Sequence, residues 1–347
     1  MNVPKYSELP SVAGRPRHCS WDVWNEIHEH VTGRKGQKDW SGTLNHLTAE
    51  VVAAAGKEIQ TGERAALNWP LDAYTYVGFQ RKKLELGIID GKAVTGGKFL
   101  ANDDEVTSTR ERRVVSNSCF RSRSIPKLAL SGMGCAISVT ALYYNGATHE
   151  ELQNGRENRP GSIHEWSKMG GICGRGVLLD YYAYAQKHSI DYCPGDTHNI
   201  TVESLENVAT WENVELRPGD ILLVRTGWTS WHDSLIDEAK KIALTRDKHD
   251  NAGLLPSEET AEWIWDRRFA AIAADNPTVE TWPPTGKGQL LHEYLLPTLG
   301  CPIGELWDLE KLSALCEKNK RYSFFLSSAP LNISGAIATP ANAVAIL

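Results

Sequence analysis

Four short apolar runs constrain the fold most: "GRGVLLDY" (174–181), "GDILLVRTGW" (219–228), "FAAIAAD" (269–275) and "YSFFLSSAPL" (322–331). Each is too short for a helix and too continuously apolar for a strand with one wet face. They read as strands buried on both faces. Between them, "EETAEWIWDRR" (258–268) and "LEKLSALCEKNK" (309–320) carry the apolar spacing of helices. A further helix is expected in "LTAEVVAAAGKEIQTG" (47–62), where Thr48 can cap, Val51, Val52, Ala55 and Ile59 recur at helical spacing, and Gly62 can stop the turn. Buried strands alternating with helices predict a layered α/β protein, a mixed sheet with flanking helices.

The 347 residues would suit two average domains or one large one. With 41% hydrophobic and 23% charged residues the composition is that of a globular protein, not a disordered one. No internal repeat or low-complexity linker divides the chain, so residues 39–347 read as one α/β domain. Residues 1–38, polar and punctuated by Pro and Gly, read as an irregular arm draped over it.

The net charge is −6, and basic residues are spread except for "TRERRVVSNSCFRSRSIPK" (109–127), so no cationic face for nucleic acid is expected. Seven cysteines, an odd number without a C-x-x-C pair, argue against a disulfide framework or a zinc knuckle and fit a reducing compartment. The N-terminal residues show no signal-peptide pattern, and no apolar stretch is long enough to span a bilayer. The expectation is a cytoplasmic protein with a small-molecule substrate and neither nucleic acid nor membrane as partner.

Motifs narrow the chemistry. "GGICGRG" (170–176) resembles a dinucleotide loop, but its glycines precede the strand instead of following it, which favours a tight turn feeding that strand. No G-x-S-x-G nucleophile elbow or phosphate loop is present. Asp275, in "AADNPTVETWPP", stands at the C-terminal end of a buried strand, the edge where open α/β sheets place ligands. It can orient a site or cap a turn. His292 and Glu305, in "LLHEYLLPTLGCPIGELWDL", are polar residues in apolar surroundings and need partners. A metal, each other, or backbone groups would serve. His164, in "GSIHEW", either sits near the same edge or starts a helix. The chain has twelve tryptophans, among them Trp263, Trp265, Trp282 and Trp307, which could line a pocket or fill a core.

Several blocks together resemble the cyclase family, the superfamily that includes the bacterial type of kynurenine formamidase, and more closely its long branch, common in fungi. They are "DWSGTLNHLTAEVV", "LYYNGATHEEL", "IHEWSKMGGICGRGVLLDYYAYAQKHSIDY", "RPGDILLVRTGW", "DNPTVETWPP", "LHEYLLPTLGCPIGELWDL" and "SFFLSSAPLNISGAIATPANAVAI". The resemblance covers about residues 39–106 and 141–347. It implies a swivelling β/α/β fold, a divalent metal (zinc or manganese), homo-oligomers, and hydrolysis of an amide or ester or the reverse ring closure, with secondary metabolism or tryptophan catabolism as the setting. In the formamidases a His-x-x-x-His-x-Asp cluster and a later carboxylate hold the metal, and a C-terminal histidine assists. By position His292 matches the assisting histidine and Glu305 the late carboxylate, at a spacing one residue longer than in the bacterial enzymes. N-formylkynurenine as substrate would follow from those relatives alone.

One block is missing. Just before "YYNG" the long branch carries Gln-Trp-Asp-Gly-Leu-Arg-His, whose Asp and His hold places of the metal cluster. This chain has "SGMGCAI" (131–137). One coding of the family block, CAG TGG GAT GGG CTG CGC CAT, read one letter later gives AGT GGG ATG GGC TGC GCC AT, which encodes Ser-Gly-Met-Gly-Cys-Ala-Ile. The region 107–140, where Ser and Arg dominate and no structural period persists, therefore reads as out-of-frame or mis-spliced sequence. The frame is recovered by about Leu142. The polypeptide as printed is expected to bind metal poorly and to be impaired as an enzyme, and a catalytically dead cyclase fold kept for binding or assembly is the alternative.

Overall fold

The computed structural model describes residues 2–33, 35–74, 84–90, 102–107, 142–153, 159–285 and 289–347. Apart from Thr107, the region 107–140 lies outside the described residues. The strands are β1 (Arg64–Ala66), β2 (Glu85–Asp90), β3 (Asn102–Thr107), β4 (Ile172–Leu179), β5 (His198–Ile200), β6 (Ile221–Val224), β7 (Ala252–Leu254), β8 (Ala271–Ala274), β9 (Ile303–Gly304), β10 (Ser323–Ser328) and β11 (Ala343–Ile346). Seven of them form one sheet in the order β1-β11-β10-β4-β6-β8-β9. β4, β6, β8 and β9 run parallel, while β10, β11 and β1 join antiparallel. Two strand pairs, β2 with β3 and β5 with β7, lie outside it.

The continuous apolar runs form the central strands because both sheet faces are covered. Val177, Leu222 and Ile272 point into one core, with Ala261, Ile264 and Trp265 of helix Glu258–Asp266 and Leu205 and Val208 of helix Val202–Trp211. Leu178, Leu223 and Ala273 point into the other, with Leu312 and Cys316 of helix Glu310–Asn319. The layered α/β expectation and the mixed sheet are what the chain forms. The "GGICGRG" glycines make the turn into β4: Gly170 and Gly171 have φ of 96° and 87°, a region costly for side chains.

Two local readings differ. The helix that Thr48 caps runs only Ala49–Ala55, then tightens into a 3-10 turn Gly56–Glu58, so it ends before Gly62. Within residues 1–38 the chain is not irregular throughout, because Trp21–Thr32 forms a helix whose left-handed C-cap is Gly33. Trp24 is fully buried on this helix, and its Nε1 donates to Leu299 O, while Trp21 Nε1 donates to Pro297 O at 2.6 Å. Aromatic burial and these indole bonds supply what the polar composition did not announce. Among the described residues no helix is long and apolar enough to cross a membrane.

Candidate functional site

The site lies at the C-terminal edge of β8 and β9, where parallel strands end and loops begin. After β8 the chain passes through Asp275 and Asn276 into a loop that ends at Glu280. Asn251 pins that loop to β7, its Nδ2 donating to Thr278 Oγ1 (2.9 Å) and Glu280 O (3.1 Å), and Leu254 and Thr281 bond across it through their backbones. Val279 has φ of 58°, a strained conformation for a β-branched residue. The loop is thereby over-determined, and Glu280 is aimed inward.

His292 stands in the short helix Leu291–Glu293, which continues into a π-helical turn Tyr294–Leu299. Its Nδ1 is 2.6 Å from Glu280 Oε1 and its Nε2 is 3.1 Å from Glu305 Oε1. All three side chains are at most 2% exposed. Leu291 N also donates to Glu280 Oε2. Glu305 follows β9, and its neighbours Leu306 and Trp307 donate their amides to Asn276 O and Ala274 O. Both imidazole nitrogens thus face carboxylate oxygens, which accept, and the doubly protonated ring satisfies both. Burial disfavours that charge, but Glu280 and Glu305 outweigh it and push the imidazole up to about 10.

Glu305 is also one of the residues around a small apolar pocket whose walls include Trp166, Ile172, Ile221, Trp307 and Leu326. Gly304 is required at its floor, because a Cβ there would come within 2.7 Å of Trp307 Nε1 and 2.8 Å of Ala273 Cβ.

The residues singled out in the sequence separate into three places. His292 and Glu305 meet directly, so of the partners open to them they use each other together with Glu280. Asp275 is fully buried at the end of β8, but Thr226 N, Thr226 Oγ1 and Gly227 N donate to it at 2.6–2.7 Å. Burial pushes its carboxyl up to about 6 against the pull of those bonds. Among the described residues no hydrogen bond joins it to His292. His164 is the first residue of the helix His164–Lys168 and bonds Asn332 Oδ1 at 2.6 Å on the surface. It is not among the cavity-lining residues. Of the tryptophans, Trp265 fills the core and Trp307 lines the cavity. Glu280, in the Pro-rich "NPTVETWPP", is not singled out by the sequence, because its neighbours Thr278 and Thr281 are polar and do not mark it as buried.

The sequence profile of the family described as "Putative cyclase" matches residues 140–281. A crystal structure described as a novel cyclase is 26% identical, covers 95% of this chain and 99% of its own, and superposes with a TM-score of 0.73. Isatin hydrolase A from Labrenzia aggregata, bound to benzyl benzoate, is 15% identical over 87% of this chain and 98% of its own, with a TM-score of 0.50. An isatin hydrolase bound to the product analogue thioisatinate is 14% identical over 87% and 99%, with a TM-score of 0.52. No curated protein matches in sequence. The chain therefore has the cyclase fold, and solved proteins sharing that fold include hydrolases.

Proposed function

We propose that the gene behind this chain specifies a metal-dependent hydrolase or cyclase acting on amide or ester bonds, of the kynurenine formamidase type, and that the polypeptide as printed is impaired. One observation carries the reading: a buried histidine held between two buried carboxylates where β8 and β9 end. A proton held in that setting can be handed to a leaving nitrogen or oxygen.

In such enzymes zinc or manganese supplies an activated water and polarises the carbonyl, and needs three or four protein ligands. The described residues do not meet that need. Among them no group of three or more His, Cys, Asp or Glu could hold a metal ion, and His292 spends both ring nitrogens on carboxylates. No step is therefore derived through a metal. What these residues do themselves is hold a proton on His292 and fix its ring between Glu280 and Glu305.

The second reading, a catalytically dead cyclase fold retained for binding, is favoured by the lack of a metal-ligand group among the described residues. Two experiments separate them. Sequencing the transcript across the codons for residues 100–146 is expected to show Gln-Trp-Asp-Gly-Leu-Arg-His in the mature message. Expressed side by side, a chain carrying that block should take up zinc or manganese and hydrolyse formamides or lactones, and the printed chain should do neither. Metal-dependent hydrolysis by the printed chain, abolished by His292→Ala, would overturn the impairment.

A further inference from the structure

We infer that the N-terminal segment 20–43 is a positioning element of the site: Ser20, Trp21, Trp24 and Thr43 hold the end of the helical run that carries His292, and with it the imidazole between Glu280 and Glu305. The inference rests on reading His292 as a working residue of the site.

The run from His292 does not secure its own end. It passes from Leu291–Glu293 into the π-helical turn Tyr294–Leu299, which contains Pro297. Proline has no N–H to close a bond back to residue 293. Thr298 Oγ1 donates to Glu293 O at 2.8 Å in its place. Beyond the turn Gly300 is left-handed, and the last carbonyls of a helix find no donor within it.

The N-terminal segment supplies those donors in turn. Trp21 Nε1 donates to Pro297 O at 2.6 Å, Ser20 N and Ser20 Oγ donate to Thr298 O at 3.1 Å, Trp24 Nε1 donates to Leu299 O at 3.3 Å, and Thr43 N donates to Gly300 O at 3.0 Å. Every carbonyl from 297 to 300 is thereby held. All four donor residues are buried, so a lost bond strands its carbonyl away from water. Packing alone would need only apolar bulk at 21 and 24, whereas here both indoles aim their N–H at one turn.

The segment is itself fixed. Asn25 Oδ1 accepts from Asp39 N at 2.8 Å and from Asn145 Nδ2 at 2.7 Å, and Asn25 Nδ2 donates back to Asn145 Oδ1 at 3.0 Å. Asp39 Oδ2 accepts from Gly42 N at 2.7 Å and from Tyr144 OH at 3.2 Å. At Gly42, with φ of 56°, a Cβ would lie 1.9 Å from Gly300 O, so the segment and the turn are in direct contact. A shift of the segment is therefore a shift of the turn and of the histidine five residues before it.

The test uses the printed chain with its histidines labelled with ¹⁵N. The short bond from His292 to Glu280 should give a low-field imidazole N–H proton resonance, assigned by its loss in His292→Ala. Trp21→Phe keeps a ring and removes the donor to Pro297 O, and it should shift that resonance upfield or broaden it away. Trp24→Phe and Ser20→Ala, the milder variants, should move it less and in the same direction. Val208→Ala, a truncation in the buried face of helix Val202–Trp211, controls for destabilisation alone and should leave it in place. In a chain carrying the family block, Trp21→Phe should also lower kcat about 10–100-fold with KM held. An N–H resonance that stays put in folded Trp21→Phe, Trp24→Phe and Ser20→Ala, or one that moves equally in Val208→Ala, would overturn the inference. Its failure is separable from that of the proposed function. A restored chain that binds no metal and hydrolyses nothing refutes the proposed function while the resonance still decides this inference, and an unmoved resonance beside a hydrolytic restored chain refutes this inference alone.

Discussion

Asp275 and Glu280 are carboxylates five positions apart in one loop, both buried at the same sheet edge, and they do different work. Asp275 faces two backbone amides and a hydroxyl from Thr226–Gly227, so it ties the end of β8 to the turn after β6. Glu280 faces an imidazole that in turn faces Glu305. Burial is equal, and what lies opposite differs. A carboxylate whose acceptor capacity is spent on the backbone fixes geometry, whereas one that shares a titrating ring sets the state of that ring.

The strongest way to break the contrast is His292→Ala. It removes the ring that both buried carboxylates, Glu280 and Glu305, bond, and should cost about 3–5 kcal/mol of stability in a urea titration. A loss under about 1 kcal/mol would mean that the cluster is not held as described. Asp275→Ala should cost about 3 kcal/mol by stranding three buried donors. Because its role is to fix the turn, Asp275→Ala should leave the imidazole titration of His292, followed by NMR, in place.

The pH dependence of stability sharpens the comparison. Both groups hold a proton more tightly folded than unfolded, so each makes stability fall as pH rises. For Asp275 the loss runs from its ordinary 3.8 to about 6, and for His292 from 6.5 to about 10, the contribution being fully present below 6.5. Urea midpoints measured against pH should therefore lose their lower slope in Asp275→Ala and their upper slope in His292→Ala. Unchanged slopes in either variant would contradict the assignment. The smallest effect belongs to His164→Ala, about 0.5 kcal/mol or less, since it removes one surface hydrogen bond.

Much of this was legible in the sequence, and unevenly so. The central strands could be read because continuous apolar runs have few alternatives once Gly and helix periodicity bound them. His292 and Glu305 could be read as needing partners because a polar group in apolar surroundings is costly. Their mutual contact could not, because they come from a helix start and a strand end that only the sheet brings together. Asp275 illustrates the limit. Its place at the strand end was evident, but its donors come from a loop 48 and 49 residues away. The helix Trp21–Thr32 was hidden because its stability comes from indoles bonding the carbonyls of Pro297 and Leu299, a tertiary reward that composition does not record.

β11 occupies an interior place in the sheet although it lies far along the chain from β1: Ala343–Ile346 pairs with β10 on one side and β1 on the other, and Leu347 exchanges backbone hydrogen bonds with residues 61–63. Translation therefore delivers β1 hundreds of residues before its partner. Until β11 has been made, β1 and one side of β10 present open edges, the pairing surfaces on which unfinished chains aggregate. Completion of this side of the sheet therefore waits on pairing between segments far apart in the sequence, the slow kind of contact in folding.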